Sequence, residues 1–211
     1  MLEFTSGIVI LMFNIVLISL SGEKAVAIFS IISNIGYVGK GIFNGMSQAA
    51  QPIIGESYGA GKYRNVVLAN RYASVTALIF SLTVYALILL FPSGIISLFV
   101  SNDAEVVQMG TAAVILYFLS FPFTGQNTIL MYYFQSMEHV RYTIILSFMR
   151  GIVLTFIALI LLSSFFGING VWLSLFAAET ITFIGFYPLK LKLNRMLLKN
   201  EMDSSEKVEQ M

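Results

Sequence analysis

Cysteine is absent from the 211 residues, which excludes disulfides, thiolate chemistry and cysteine-based metal sites. The single histidine, His139, excludes a histidine cluster. Charge is also scarce: Asp, Glu, Lys and Arg make up 11% of the chain, against about 25% in an ordinary soluble domain. A water-soluble surface cannot be built from that. The net charge of +1 reflects charges crowded into short connections, and no basic patch with interleaved aromatics is present, so no nucleic-acid partner is expected. Ser/His or Asp/Asp pairs at catalytic spacing, His-Glu-x-x-His and a phosphate-binding Gly-Lys-Ser/Thr are all missing, so an enzyme is not expected. The first apolar stretch, 4–20, has neither a basic leader nor an Ala-x-Ala-like cleavage site and does not read as a cleaved signal peptide.

What is present is apolar: 57% hydrophobic residues and a mean hydropathy of +0.84. Crossing a hydrocarbon layer about 30 Å thick takes roughly 20 apolar residues in a helix. Six stretches qualify, at 2–20, 25–51, 66–91, 106–134, 142–166 and 170–189, joined by 21–24, 55–64, 92–105, 135–141 and 167–169. Barrel strands would alternate over about ten residues, so these runs predict helices. The expected fold is an all-α membrane protein, with a six-helix transmembrane lobe over 1–195 and a polar cytoplasmic tail over 196–211 that is disordered from Lys199.

The loops differ in charge. Lys62, Arg64, Arg71, Arg141, Lys190, Lys192, Arg195, Lys199 and Lys207 fall on one side, while the other offers Lys24 with Glu23, Asp103 and Glu105. The positive-inside rule places the first side, and with six spans both termini, in the cytoplasm of a cell-membrane protein. Residues 63–72 read either as an interfacial helix or as a plain solvated loop and helix start.

Around the end of the second stretch runs Gly45-Met46-Ser47-Gln48-Ala49-Ala50-Gln51-Pro52-Ile53-Ile54-Gly55-Glu56-Ser57-Tyr58-Gly59-Ala60-Gly61-Lys62. Gly41-x-x-x-Gly45 and Gly55-x-x-x-Gly59 put small residues on one helical face, allowing close backbone approach. Pro52 predicts a kink or an end near Ile53. Phe134-Gln135 closes the fourth stretch and Gly167-Ile168-Asn169-Gly170-Val171-Trp172 opens the sixth.

Four ionisable groups fall within apolar stretches: Glu3, Lys40, Arg150 and Glu179. Each such charge costs about 2.5–3.5 kcal/mol on insertion scales, so it should face the interior with a partner or a function. Arg150 lies roughly 12 Å and Glu179 roughly 16 Å from the same membrane face, on adjacent helices. They are expected to pair, either as a structural ion pair or as a cation-responsive one. Lys40 either lines a cavity or snorkels outward. On the fourth stretch Gln126 and Asn127 either face a water-filled cavity, with Phe121, Phe123, Tyr132 and Tyr133 able to stack on a flat cation, or hydrogen-bond between helices.

The Gly45 to Lys62 segment, with Gln51, Pro52, Gly55, Tyr58 and Gly59, together with the Phe134-Gln135 and Gly167 to Trp172 segments, resembles the multidrug and toxic compound extrusion (MATE) family. Their order and spacing match the C-terminal six-helix half. The resemblance implies one lobe of a twelve-helix antiporter that exports small, often cationic organic molecules in exchange for Na⁺ or H⁺, without another cofactor. It implies that Glu3, matching an acid of the family's seventh helix, contributes to cation coupling. It also implies a missing N-terminal six-helix lobe, with Met1 inside the seventh helix of a truncated, split or fragmentary frame. The family's additional acid in the tenth helix has no counterpart here. A lipid-linked polysaccharide flippase and a non-transporting scaffold or remnant are the competing readings.

Overall fold

A computed structural model describes the backbone of residues 2–99 and 104–209 and the side chains of 7–99 and 104–203. Every element within these limits is a helix: α1 (Leu2–Gly59), α2 (Tyr63–Leu90), α3 (Pro92–Ser97), α4 (Ala104–Phe118), α5 (Phe121–Ser136), α6 (Val140–Phe148), a π-helical segment (Met149–Val153), α7 (Leu154–Phe166) and α8 (Ile168–Glu209).

Among the described residues five helical stretches are, by length and composition, apolar enough to cross a membrane. The first, Gly7–Gly59, would measure nearly 80 Å if straight, far more than a bilayer. It is broken at Gly22, where φ is 69° and ψ is −160°, a region open essentially to glycine alone. There the chain folds back, since Phe13 and Phe29 stack with ring centroids 4.9 Å apart, whereas sixteen helical residues would hold them about 24 Å apart. The first limb (2–21) and second limb (23–59) of α1 are thus two crossings, and six in all result. The expected four-residue connection at 21–24 reduces to one glycine.

Helix ends follow local chemistry. The α1 second limb continues with helical backbone through Pro52, so of the kink or end expected near Ile53 the end does not occur. Its terminator is Gly61, at φ 69°, where Lys62 N–H donates to the Ser57 carbonyl (2.9 Å) and Gly61 N–H to that of Tyr58 (3.1 Å). These two bonds make a Schellman cap, a stronger stop than a proline that membrane helices tolerate. Residues 63–72 start α2 without a break and form no separate interfacial helix. Pro122 divides the expected 106–134 span into α4 and α5, because it cannot donate to the preceding turn.

The expected disordered tail is helical: α8 runs to Glu209. Leu197 is buried against a cluster that includes Tyr58 and Tyr63, and a Glu201 carboxylate oxygen accepts the Arg64 backbone N–H at 2.6 Å. A carboxylate there satisfies an open donor of the first α2 turn and complements its dipole. Composition predicts how this segment behaves alone, and tertiary contact overrides it.

Packing relies on missing side chains. A Cβ on Gly170 would lie 1.8 Å from the Leu162 carbonyl oxygen, and one on Gly39 would lie 2.4 Å from the Phe121 ring. Gly167, at φ 57°, makes the turn between α7 and α8. Trp172, buried, packs near Phe29 with ring centroids 6.4 Å apart. By contrast Gly41, Gly45 and Gly59 have open space where a Cβ would stand. At these three positions the small-residue face predicted to pack closely is uncovered within this chain, whereas Gly55 lies against the Ser136 carbonyl.

Candidate functional site

Among the described residues the deepest charged group is Glu179 on α8, 3% exposed. One carboxylate oxygen accepts from the Arg150 guanidinium at 2.8 Å, and the other accepts from the Asn127 amide at 2.7 Å. The same amide nitrogen also donates to the Glu179 backbone carbonyl at 2.8 Å. Arg150 further reaches the Thr128 hydroxyl at 3.3 Å. Burial of two charges is tolerated only where such extra hydrogen bonds satisfy what the pair leaves over.

Arg150 sits in the π-helical segment, where the widened turn includes Gly151. The Thr155 hydroxyl donates to the Arg150 carbonyl at 2.6 Å, supplying a donor where the regular ladder is interrupted. Single π-turns are locally strained and concentrate at functional positions. The site therefore joins a carboxylate on α8, an amide on α5 and a guanidinium carried on the π-helical turn.

The other predicted residues are placed differently. Asn127 is fully buried; its amide nitrogen is spent on Glu179, while its amide oxygen is buried without a hydrogen-bond partner. Gln126 donates to the Ser74 carbonyl at 2.8 Å, so it ties α5 to α2. Phe121 and Tyr133 are core residues, and Phe123 packs edge-on against Phe176 and Phe183. Lys40 is half-buried on the second limb of α1. The side chain of Glu3 lies outside the described residues. Among the described residues no group of three or more His, Asp or Glu could hold a metal ion.

Of the motif residues, Tyr58 packs on Tyr63 at 5.9 Å and Gly55 lies against the Ser136 carbonyl. Gly59 is exposed at the end of α1, and Gly45, Gln51 and Pro52 contribute to a feature that residue-by-residue reading missed. Ser30, Asn34, Tyr37, Gly41, Gly45 and Gln48 follow one another at spacings of three and four, and all are exposed. That spacing is one face of a helix, and Gln51, half-buried, and exposed Pro52 extend it. Polar periodicity inside an apolar run was the available signal.

Next to it, between the second limb of α1 and α2, runs a groove of about 540 Å³ lined by residues such as Met46, Ala50, Ile53, Ala69 and Tyr72. A second groove of similar volume lies along the first limb, by Gly7, Leu11 and Asn14. Both open to the outside of the bundle.

Comparison with known proteins places this arrangement. A search of curated proteins finds no match. Among solved structures the chain is similar to a MATE in complex with MaL6, at 23% identity and a TM-score of 0.87, over 94% of this chain and 45% of that one. It is similar to an outward-facing multidrug resistance MATE family transporter of the MOP superfamily, at 22% identity and a TM-score of 0.86, over 94% and 45%. A third is a MOP superfamily transporter from Pyrococcus furiosus described as having a binding pocket of reverse polarity, at 22% identity and a TM-score of 0.85, over 93% and 44%. These likenesses establish the fold, and the chain spans less than half the length of the structures it matches. The MatE family profile matches residues 2–161, well over half of the sequence, and with the helical lobe just described the chain belongs to the MatE family of membrane transporters.

Proposed function

We propose that this chain is the C-terminal six-helix half of a cation-coupled efflux antiporter, driven by Na⁺ or H⁺ and exporting small organic, often cationic molecules across the cell membrane. Both termini and the Lys62 connection face the cytoplasm. The observation that carries this reading is the uncovered polar face from Ser30 to Gln48. Amide and hydroxyl groups cannot face hydrocarbon without losing hydrogen bonds to water. A polar face on a membrane-spanning helix therefore borders an aqueous cavity or a second protein half. Alternating access in such folds rocks one half against another around a site at their junction, and an uncovered polar face is what one side of such a junction requires. Membership of the family supports the transport reading, and the matched length supports a second half.

Within that half, the Arg150–Glu179 pair links α8 to the π-turn, and we assign it the role of a conformational tie that loosens when a cation competes for the carboxylate. The test is export of a fluorescent organic cation from proteoliposomes under an imposed Na⁺ or H⁺ gradient. It compares this chain alone with this chain joined to the N-terminal half of a MATE transporter. Gradient-driven export is expected only from the completed protein. Export by the isolated monomeric chain contradicts the reading, as does an assembled, monodisperse completed protein that moves no substrate under either gradient.

A further inference from the structure

Lys190 on α8 does not turn outward to water. Its ammonium lies between the Tyr187 and Tyr133 rings, 5.6 Å and 6.0 Å from their centroids, and donates to the Ser74 hydroxyl on α2 at 3.4 Å. Among the described residues no carboxylate stands at ion-pair distance from it. Three donors on that nitrogen are thus met by one long hydrogen bond and two aromatic faces.

One turn before Ser74, on the same face of α2, is Asn70, fully buried, with neither its amide nitrogen nor its oxygen hydrogen-bonded. Its direction is bracketed. Val66, one turn earlier, packs in the cluster with Tyr133 and Leu197, while Ser74, one turn later, meets Lys190 and Gln126. Asn70 therefore points into the same space between α2, α5 and α8. The Tyr133 hydroxyl that closes this space donates to Asn194 at 2.6 Å, and is committed there.

A half-buried cation without a counter-charge, beside a buried amide without a partner, is a costly arrangement that a bound anion would relieve at the ammonium and at the amide N–H. We propose that this pocket binds a small monovalent inorganic anion, of which chloride is the probe. Lys190 supplies the charge, Ser74 and Asn70 supply donors, and the buried Tyr133 ring closes the inner side. Only one positive charge is present, so a divalent oxyanion would leave net negative charge buried. Chloride bound here ties α8 to α2 at the same end of the bundle where Glu201 caps Arg64. The pocket is separate from the Arg150–Glu179 pair and stands independently of the transport reading.

The experiment is thermal unfolding of the purified full chain in detergent while chloride replaces gluconate at constant ionic strength. A saturable rise in Tm with chloride is expected, retained in Lys190→Arg and lost in Lys190→Met. Asn70→Leu should raise the half-saturating chloride concentration about tenfold, the loss of one charge-assisted hydrogen bond. If Lys190→Met does not fold, Asn70→Leu and Ser74→Ala decide. The proposal is overturned by a wild-type Tm indifferent to the exchange, by a Lys190→Met response equal to wild type, or by unchanged half-saturation in both α2 variants. A saturable sulfate effect tighter than that of chloride overturns the monovalent assignment.

Discussion

Glu179 is held by groups from two other elements, and that makes its energetics testable one residue at a time. Removing Arg150 leaves a buried carboxylate uncompensated, and removing Glu179 leaves the guanidinium so, each at a cost of about 3–5 kcal/mol, whereas replacing both with apolar groups is nearly neutral. Glu179→Leu and Arg150→Leu should each destabilise the chain strongly and the double variant much less, read as coupling in a double-mutant cycle of denaturant unfolding. Additive losses would show that the contact carries no energy. This pair was legible in the sequence because depth along a helix is linear in residue number. Its surroundings were not. Whether Asn127 or Gln126 turns toward Glu179 depends on a 100° step of azimuth that no residue spacing within one helix fixes.

Elements here are set by glycines of different kinds. Gly22 occupies a conformation closed to side chains, Gly61 a left-handed cap, and Gly170 a contact too close for a Cβ. Gly61→Ala is expected to cost about 1–2 kcal/mol, the left-handed penalty for one residue. Gly170→Ala should cost more and prevent α7 from seating on α8, whereas Gly41→Ala, with open space around it, should leave the isolated chain as stable as wild type. Denaturant midpoints of the three variants check the order, and a Gly41→Ala loss as large as that of Gly170→Ala would contradict it. Apolar run length located the crossings, since that property is additive along the chain. Connection lengths and the helical tail escaped it: Gly22, Gly61 and Glu201 act through backbone angles and tertiary contacts that composition does not register.

At the scale of the whole molecule the decisive asymmetry is between two kinds of exposed surface. Ile79 and Leu82 on α2 and Phe156 on α7 are exposed and apolar, as lipid-facing residues should be, while Asn34, Gly41 and Gln48 are exposed on a polar face. Orientation is tested on single-cysteine variants, which report cleanly because the native chain has no cysteine. Cysteines at Lys62 and Lys192 should react with an impermeant maleimide only from the cytoplasmic side. The central claim, that the polar face borders water or a second protein half, is tested most directly by spin labels at Asn34, Gly41, Gln48, Ile79, Leu82 and Phe156 in bilayers. The collision rate with oxygen, which concentrates in hydrocarbon, should be high at Ile79, Leu82 and Phe156 and low at all three polar-face positions. Equal oxygen exposure at both sets would mean that this face lies against lipid and would contradict the account.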